Sequence, residues 1–443
     1  MQKQILSNNK KIDVTQSVVG QYRWNIVVLL FFATTINYLD RQVFGLLKPI
    51  LEKEFHWTES DYSNIVIFFQ ATYALGLIFV GRFIDTVGTR LGYSISVLFW
   101  TVAAMAHAFA KSTFGFSMAR AALGLGEAGN YPAAIKTVAE WFPKKERAFA
   151  TGIFNSGSTI GAIIAPASVP FIAIRYGWEW AFIITGAMGF IWLFFWWRIY
   201  EEPAKHKKLS SSELDYINSN DETQSKENIP WLSLLKVKAT WGFAIGKFLT
   251  DAVWYFYLFW LPSYLTNQGL TMSKISVPII IVYTLASLGS IGGGWLSSKL
   301  IEMGLSVNKS RKSAMFVFAL MAFQVIWINY SNDLWLSIFV ISLAAAAHTG
   351  WSANIFTMVS DQFPKSAIST VVGIGSMAGA VGGILFAKGT GLLLDHFKGL
   401  NNLQAGYNIL FMVCSLAYFI SLLIIHVLSP RSEAITFIRP RIK

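Results

Sequence analysis

Gly81-Arg-Phe-Ile-Asp-Thr-Val-Gly-Thr-Arg90 stands between the second and third long apolar segments of this chain. A fainter copy, Gly294-Trp-Leu-Ser-Ser-Lys299 followed by Lys309, Arg311 and Lys312, stands between the eighth and ninth. One short basic loop is only a topology signal. The same loop at matching places in two successive runs of segments says that the chain is built twice. Gly81 allows close helix approach and Gly88 a tight turn. Asp85 is placed to meet a helix N-terminus or a basic partner across the halves; with Arg90 it is a gate or structural position. Ser298 takes the acidic place in the second copy, so the second half lacks that acid for an equal latch.

Around this pair, apolar segments long enough to cross a bilayer recur along the whole chain, about twelve of them. They fall near 24–47, 62–81, 92–110, 114–137, 148–172 and 179–199, then 240–265, 275–299, 313–330, 333–359, 368–394 and 404–428. Of the 443 residues 54% are hydrophobic and only 14% charged, far fewer charges than a soluble chain carries. The expected fold is an all-α integral membrane protein with twelve transmembrane helices in two six-helix halves. A polar tail (1–23) leads into the first half (24–200), a polar linker (201–238) follows, then the second half (239–430) and a tail (431–443). The linker reads as solvated, with a short surface helix near Ser211–Ile217. Lys and Arg crowd the loops on the linker side, while 48–61 on the other side is acidic. The linker and both termini are therefore expected in the cytoplasm, with no removable signal peptide. The net charge of +12 lies in these loops and reads as orientation, not as a nucleic-acid surface. The one cysteine, Cys414, excludes an internal disulfide or a thiolate metal cluster.

Asn37-Tyr-Leu-Asp-Arg-Gln42 lies inside the first segment, so Asp40 and Arg41 are adjacent charges at membrane depth. A charge near the bilayer centre costs about 2.5–3.5 kcal/mol on insertion scales, and such residues usually face a water-filled path or a partner. Helix neighbours point about 100° apart, so these two cannot pair well with each other. The bland reading is an internal pair that fixes packing. The functional one has Arg41 gripping an anion and Asp40 carrying a proton. In the fourth segment Arg120 and Glu127, seven apart, share a face, and Gly124, Gly126 and Gly129 let a neighbour approach. Either Glu127 switches its charge as substrate comes and goes, or the two form a permanent bridge. Asn155 bonds a sugar hydroxyl or another helix. Lys247 and Asp251, four apart, are a gate or a buried pair closing one end; Trp254 offers a flat face to a sugar ring or to the core. In the tenth segment His348 and Trp351 share a face, with Asn354 a turn on; the histidine serves a hydroxyl, a proton or a helix contact.

The G-x-x-x-D-x-x-G-x-R loop resembles that of the major facilitator superfamily, and the likeness covers roughly Trp24 to Pro430. It implies that the Asp85 loop stabilises the outward-facing state. Asn-Tyr-Leu-Asp-Arg in the first segment, with R-x-x-x-G-x-G-E-A in the fourth, is similar to the anion:cation symporter family within it, which includes carriers of sugar acids, sialic acid and glutamate. This implies Arg41 as the carboxylate-binding residue, Asp40 and Glu127 as proton sites, Arg120 as a modulator of Glu127, and Tyr38 and Tyr73 as polar contacts in the cavity wall. The runs GKFLTD-x-V-W and AAH-x-GWSANIFT with VSD-x-FPK resemble the hexuronate branch, from which Ala252 and Thr349 depart.

The expected function is import of glucuronate, galacturonate or a related sugar acid by proton symport with alternating access. Arg41 takes the carboxylate, Asn155, His348 and Asn354 the ring hydroxyls, and Trp254 and Trp351 cover the ring. The alternatives are carriage of another organic anion, or a non-transporting sensor, for which the linker is too short and polar to be an output domain. A membrane enzyme would need a catalytic constellation, commonly closely spaced metal-binding histidines; the six here are far apart. No metal or cofactor is expected. The expected partners are the carboxylate substrate, protons and the lipid bilayer, with no nucleic acid, for a monomer in the cell inner membrane.

Overall fold

The computed structural model describes residues 20–219, 229–268, 276–330, 333–431 and 435. The expected tails lie almost wholly outside these residues. Among them all regular structure is helical, as hydrocarbon demands of a chain that must satisfy its own backbone groups. Ten helices are long and apolar enough to cross a membrane. They are α1 (Arg23–Phe55), α2 (Glu59–Val87), α3 (Thr89–Ala106) with the 3-10 turn that carries the span to Phe109, α6 (Lys144–Tyr176), α7 (Trp178–Ile199), α11 (Ser276–Glu302), α12 (Val307–Phe323) with the 3-10 turns that carry the span to Tyr330, α13 (Leu334–Gln362), α14 (Ile368–Gly399) and α15 (Leu403–Leu428). The fourth crossing is made of two pieces, α4 (Thr113–Glu127) and α5 (Asn130–Trp141), and the seventh is α10 (Lys238–Asn267). The result is the twelve-span architecture.

The break between α4 and α5 falls at Ala128–Gly129, directly after Glu127. The glycines there are sites of close approach. A Cβ on Gly126 would lie 2.7 Å from the Trp100 backbone nitrogen on α3, and one on Gly124 would lie 2.5 Å from the Phe69 carbonyl on α2. The helix ends are set locally. α1 stops at His56, whose φ is 53°, and α2 starts with a capping box between Thr58 and Asp61. Hydrogen bonds from the Thr58 hydroxyl and N–H hold the Asp61 carboxylate below its usual range.

Between the halves lie α8 (Ser211–Asn218) and α9 (Trp231–Leu234). The expected surface helix is present, but it is docked rather than simply solvated. Glu213 accepts the backbone N–H groups of Tyr22 and Arg23, each at 3.1 Å, and pairs with the Arg23 guanidinium at 3.1 Å. Tyr216 donates to Glu146 at 2.7 Å. α1 has no side-chain cap of its own, and a linker carboxylate satisfies its first amides.

The halves meet through α2 against α14 and α6 against α11, the same contact twice under exchange of halves. At the linker end Asp85 crosses this interface. It accepts the Thr370 N–H at 2.7 Å, the Thr370 hydroxyl at 2.6 Å and the Ser369 N–H at 3.3 Å. It also pairs with Lys136 on α5 at 3.1 Å. α14 lacks a side-chain cap of its own, so Asp85 finishes that helix from the opposite half. The expected helix N-terminus is across the interface, while the basic partner is in the same half. Arg90 stays within the first half, donating to the Trp197 carbonyl at 2.9 Å. The second half answers with different chemistry. Arg311 donates to the Lys144 carbonyl at 2.6 Å, to Ser297 at 2.7 Å and to Asp361 at 2.9 Å. Arg147 returns the contact to the Ser360 carbonyl at 2.6 Å. Ser298 has no partner among the described residues; guanidinium-to-carbonyl bonds stand where an acid would have been.

Asp85→Ala is expected to loosen this end. Hydrogen bonds to a charged group contribute roughly 1.5–3 kcal/mol, and about 1.4 kcal/mol is tenfold in a population. Spin labels on opposite halves at the linker end should report at least a tenfold rise in separated molecules.

Candidate functional site

A cavity of about 370 Å³ lies between the halves, walled by side chains of α1, α2, α4, α5, α6, α10, α11, α13 and α14. Tyr38, Arg41, Tyr73, Arg120, Asn155, Lys247, Asp251, Trp254 and His348 all line it. Nine expected positions, far apart in sequence, thus share one hollow.

Arg41 is its central charge. Its Nε and Nη2 donate to one Glu127 oxygen at 2.9 and 2.8 Å. The guanidinium lies over Tyr73 at 4.6 Å, Tyr38 at 4.9 Å and Phe69 at 5.1 Å from the ring centroids. The other Glu127 oxygen is buried without a partner among the described residues. The ion partner of Glu127 is therefore Arg41 and not Arg120. Seven residues share a face but stand about 10 Å apart along the axis, whereas Arg41 reaches across from α1. Arg120 instead donates to the Arg41 carbonyl at 3.2 Å and rests over Phe44 and Phe69.

Asp40, next in the chain to Arg41, is buried away from the cavity and faces Thr185 on α7. Lys247 and Asp251 pair at 2.8 Å on the cavity wall, with the ammonium 4.4 Å from the Phe356 centroid. Asn155 donates to Ser290 across the halves at 2.9 Å and accepts from Tyr131 at 2.7 Å. It makes the helix–helix bond while lining the cavity.

On α13 the cavity stripe is His348, Ser352 and Phe356, with Thr349 beside it. His348 stacks on Trp254 at 4.9 Å and 12°, and its Nδ1 is 2.8 Å from the Tyr418 hydroxyl. The i, i+4, i+8 stripe leaves Trp351 and Asn354 outside, contrary to the expected ring contacts. Trp351 is fully buried, edge-on to Tyr418. Asn354 donates to the Gly293 and Gly350 carbonyls at 3.0 and 2.9 Å and ties α13 to α11. Thr349 gives its hydroxyl to the Ala286 carbonyl at 2.5 Å.

The sequence reading missed Gln70, Tyr131 and Tyr255, which also line the cavity. Gln70 stands one turn before Tyr73, and a polar residue there was a usable signal. Tyr255 was hidden in an aromatic run. It lies against Gly383 and comes within electrostatic reach of Arg41 and Asp251. Among the described residues no group of His, Cys, Asp and Glu has a metal-binding arrangement.

Comparison with known proteins agrees with this fold. The family model described as Major Facilitator Superfamily matches residues 30–387. The chain is 31% identical over 379 residues to the hexuronate transporter of Escherichia coli (strain K12), covering 84% of this chain and 88% of that protein. It is 33% identical over 296 residues to the galacturonate transporter of Dickeya chrysanthemi, covering 65% of this chain and 86% of that one. Among solved structures, the fucose:proton symporter FucP of E. coli shares the fold with TM-score 0.72 at 14% identity, over 92% of this chain and 100% of that one. The chain belongs to the Major Facilitator Superfamily and is a multi-pass membrane transporter rather than an enzyme.

Proposed function

We propose that this transporter imports a hexuronate, such as glucuronate or galacturonate, together with protons across the cell inner membrane by alternating access. The observation that carries the reading is the shared fork of Arg41. One carboxylate, Glu127, holds it from inside the protein while the guanidinium still lines the cavity. A substrate carboxylate and Glu127 compete for the same donors, and a planar guanidinium is suited to take either by two parallel bonds. A proton on Glu127 releases Arg41 to the substrate; departure of the substrate returns Arg41 to Glu127 and expels the proton. Asp40 is the second proton site, since a carboxylate buried against a hydroxyl rather than a cation is costly to keep charged. Trp254 and His348 cover the sugar ring. Lys247 and Asp251 act as a gate that opens to ring hydroxyls. The cavity lies within the roughly 300–1,000 Å³ of small-molecule sites.

The positive loops put the linker end and both termini in the cytoplasm. The halves, 24–200 and 239–430, rock about the cavity. The latched linker end then makes this the outward-facing form. The names of the hexuronate and galacturonate relatives support the substrate class, and the fucose:proton symporter supports the coupling only by fold. Another organic anion is the second reading, because the fork reads a carboxylate and nothing else of the molecule.

The test is counterflow of labelled glucuronate in proteoliposomes, with galacturonate, galactonate and glucose as competitors, repeated under an imposed pH gradient. Competition by the uronates but not by glucose, and accumulation driven by external acid, are expected. Failure of both uronates to compete removes the substrate assignment.

A further inference from the structure

The core of the second half contains a phenol with a single group to serve. Tyr418 lies on α15, none of whose described residues lines the cavity. A buried tyrosine hydroxyl usually finds a hydrogen-bond partner. Tyr418 is fully buried, and among the described residues its hydroxyl has one partner, Nδ1 of His348 at 2.8 Å.

The two nitrogens of His348 meet different surroundings. Nδ1 faces the core and Tyr418. Nε2 makes no hydrogen bond among the described residues, yet the ring reaches the cavity. His107 is the contrast, for its Nε2 is closed off in the core with no partner. The plane of the His348 ring is fixed as well. It lies on Trp254 at 4.9 Å and 12°, and Tyr418 stands edge-on to it at 6.2 Å and 74°. Trp351 packs edge-on to Tyr418 in turn, at 5.4 Å and 80°. The tryptophan that the cavity does not use is thus a wall for the phenol.

Counting hydrogens selects the tautomer. A phenol has one hydrogen to donate, and a neutral imidazole has one N–H and one bare nitrogen. A hydrogen on Nδ1 would point at the phenol oxygen and leave the Tyr418 hydrogen with no acceptor, and an unmade buried donor is costly. A ring carrying both hydrogens leaves the same orphan. The acid on this wall, Asp251, is already paired with Lys247 at 2.8 Å. Only the Nε2–H form places every buried hydrogen: Tyr418 donates to Nδ1, and Nε2–H is offered to the cavity.

We propose that Tyr418 is a positioning residue that fixes His348 as an Nε2–H donor, and that this donor reads an oxygen of the sugar acid that Arg41 does not touch. The second part rests on the sugar-acid reading above. Arg41 recognises the carboxylate alone. His348 comes from the other half, so the two grip one molecule from both sides of the cavity. A carboxylic acid with no oxygen in that place leaves the Nε2–H unpaired, and a site built to bond a hydroxyl rejects an analogue without it. Tyr418 sets this selectivity without touching the substrate.

Tyr418→Phe keeps the ring and removes the hydroxyl. In proteoliposomes the KM for labelled glucuronate is expected to rise about fivefold, the scale of one lost hydrogen bond, with Vmax close to that of wild type. Glutamine at 348 places an amide where Nε2 stood and needs no tyrosine to hold it. Adding Tyr418→Phe to His348→Gln should therefore change KM by less than about twofold. The same loss in both backgrounds makes Tyr418 a packing group and overturns the proposal, as does an unchanged KM in Tyr418→Phe alone. Solid-state NMR of the full chain in lipid vesicles, with heavy-nitrogen histidine, reads the tautomer without any substrate. The signal missing from His348→Gln belongs to His348. Wild type should show its hydrogen on Nε2 and a bare Nδ1, and Tyr418→Phe should show a mixture of forms. A hydrogen on Nδ1 in wild type, or a signal that Tyr418→Phe leaves unchanged, overturns the proposal. A wild type that shows the Nε2–H form but takes up no sugar acid overturns the substrate reading, while the hold of Tyr418 on His348 stands.

Discussion

Arg41→Lys is expected to lower sugar-acid uptake about a hundredfold while the protein still folds. The positive charge survives, but the second parallel bond is lost, and hydrogen bonds to charged groups contribute roughly 1.5–3 kcal/mol each. The flat stack on Tyr73 and Tyr38 goes too, removing about 0.5–2 kcal/mol more. Arg41→Ala should abolish uptake, yet it is the less informative change. Removing one partner of a buried pair leaves Glu127 uncompensated and costs about 3–5 kcal/mol of stability. Initial rates of labelled glucuronate uptake, with folded protein quantified by size exclusion, measure both. Concentrative uptake at the normal rate by Arg41→Ala would falsify the clamp.

Glu127→Gln is expected to separate exchange from accumulation. Glutamine can still accept one bond from Arg41, so the site keeps its shape, but it neither competes as an anion nor takes a proton. Counterflow, in which the carrier always crosses loaded, should proceed at near the normal rate. Net acid-driven accumulation should fall at least tenfold. The empty carrier must then return with Arg41 uncompensated, and an unpaired charge in a low-dielectric interior is costly. Substrate-induced alkalinisation outside the vesicles should vanish with it. If the variant still concentrates substrate against a gradient, Glu127 is not the coupling group.

How much of this was legible in the sequence differs by level. The doubled loop and the recurring apolar segments carried the fold, because spanning length is a one-dimensional property of the chain. Arg41, Glu127, Lys247, Asp251 and His348 were legible for a similar reason: a charged or polar group at membrane depth is rare enough to be noticed singly. Which groups meet was not legible. Glu127 finds Arg41, 86 residues away, because the fold sets the end of α4 opposite α1 with long side chains bridging between them, and no spacing rule contains that. Trp351 and Asn354 were misplaced because a 100° step per residue, read without knowing which stripe of α13 faces inward, assigns neighbours of His348 to the cavity. The second latch was invisible for a chemical reason: the serine at 298 suggested a missing contact, whereas Arg311 and Arg147 use backbone carbonyls, which any sequence supplies.

The docking of α8 has a mechanical result. Glu213 and Tyr216 hold that helix to the starts of α1 and α6, and further along the linker the Ile229 carbonyl accepts from Arg82 on α2 at 3.0 Å, so the linker is fastened to the first half at two points. Residues added inside α8 should twist Glu213 off the first turn of α1. The linker is thus a clasp on the first half as well as a connection to the second, and shortening it at α8 would unfasten the entry of the first helix.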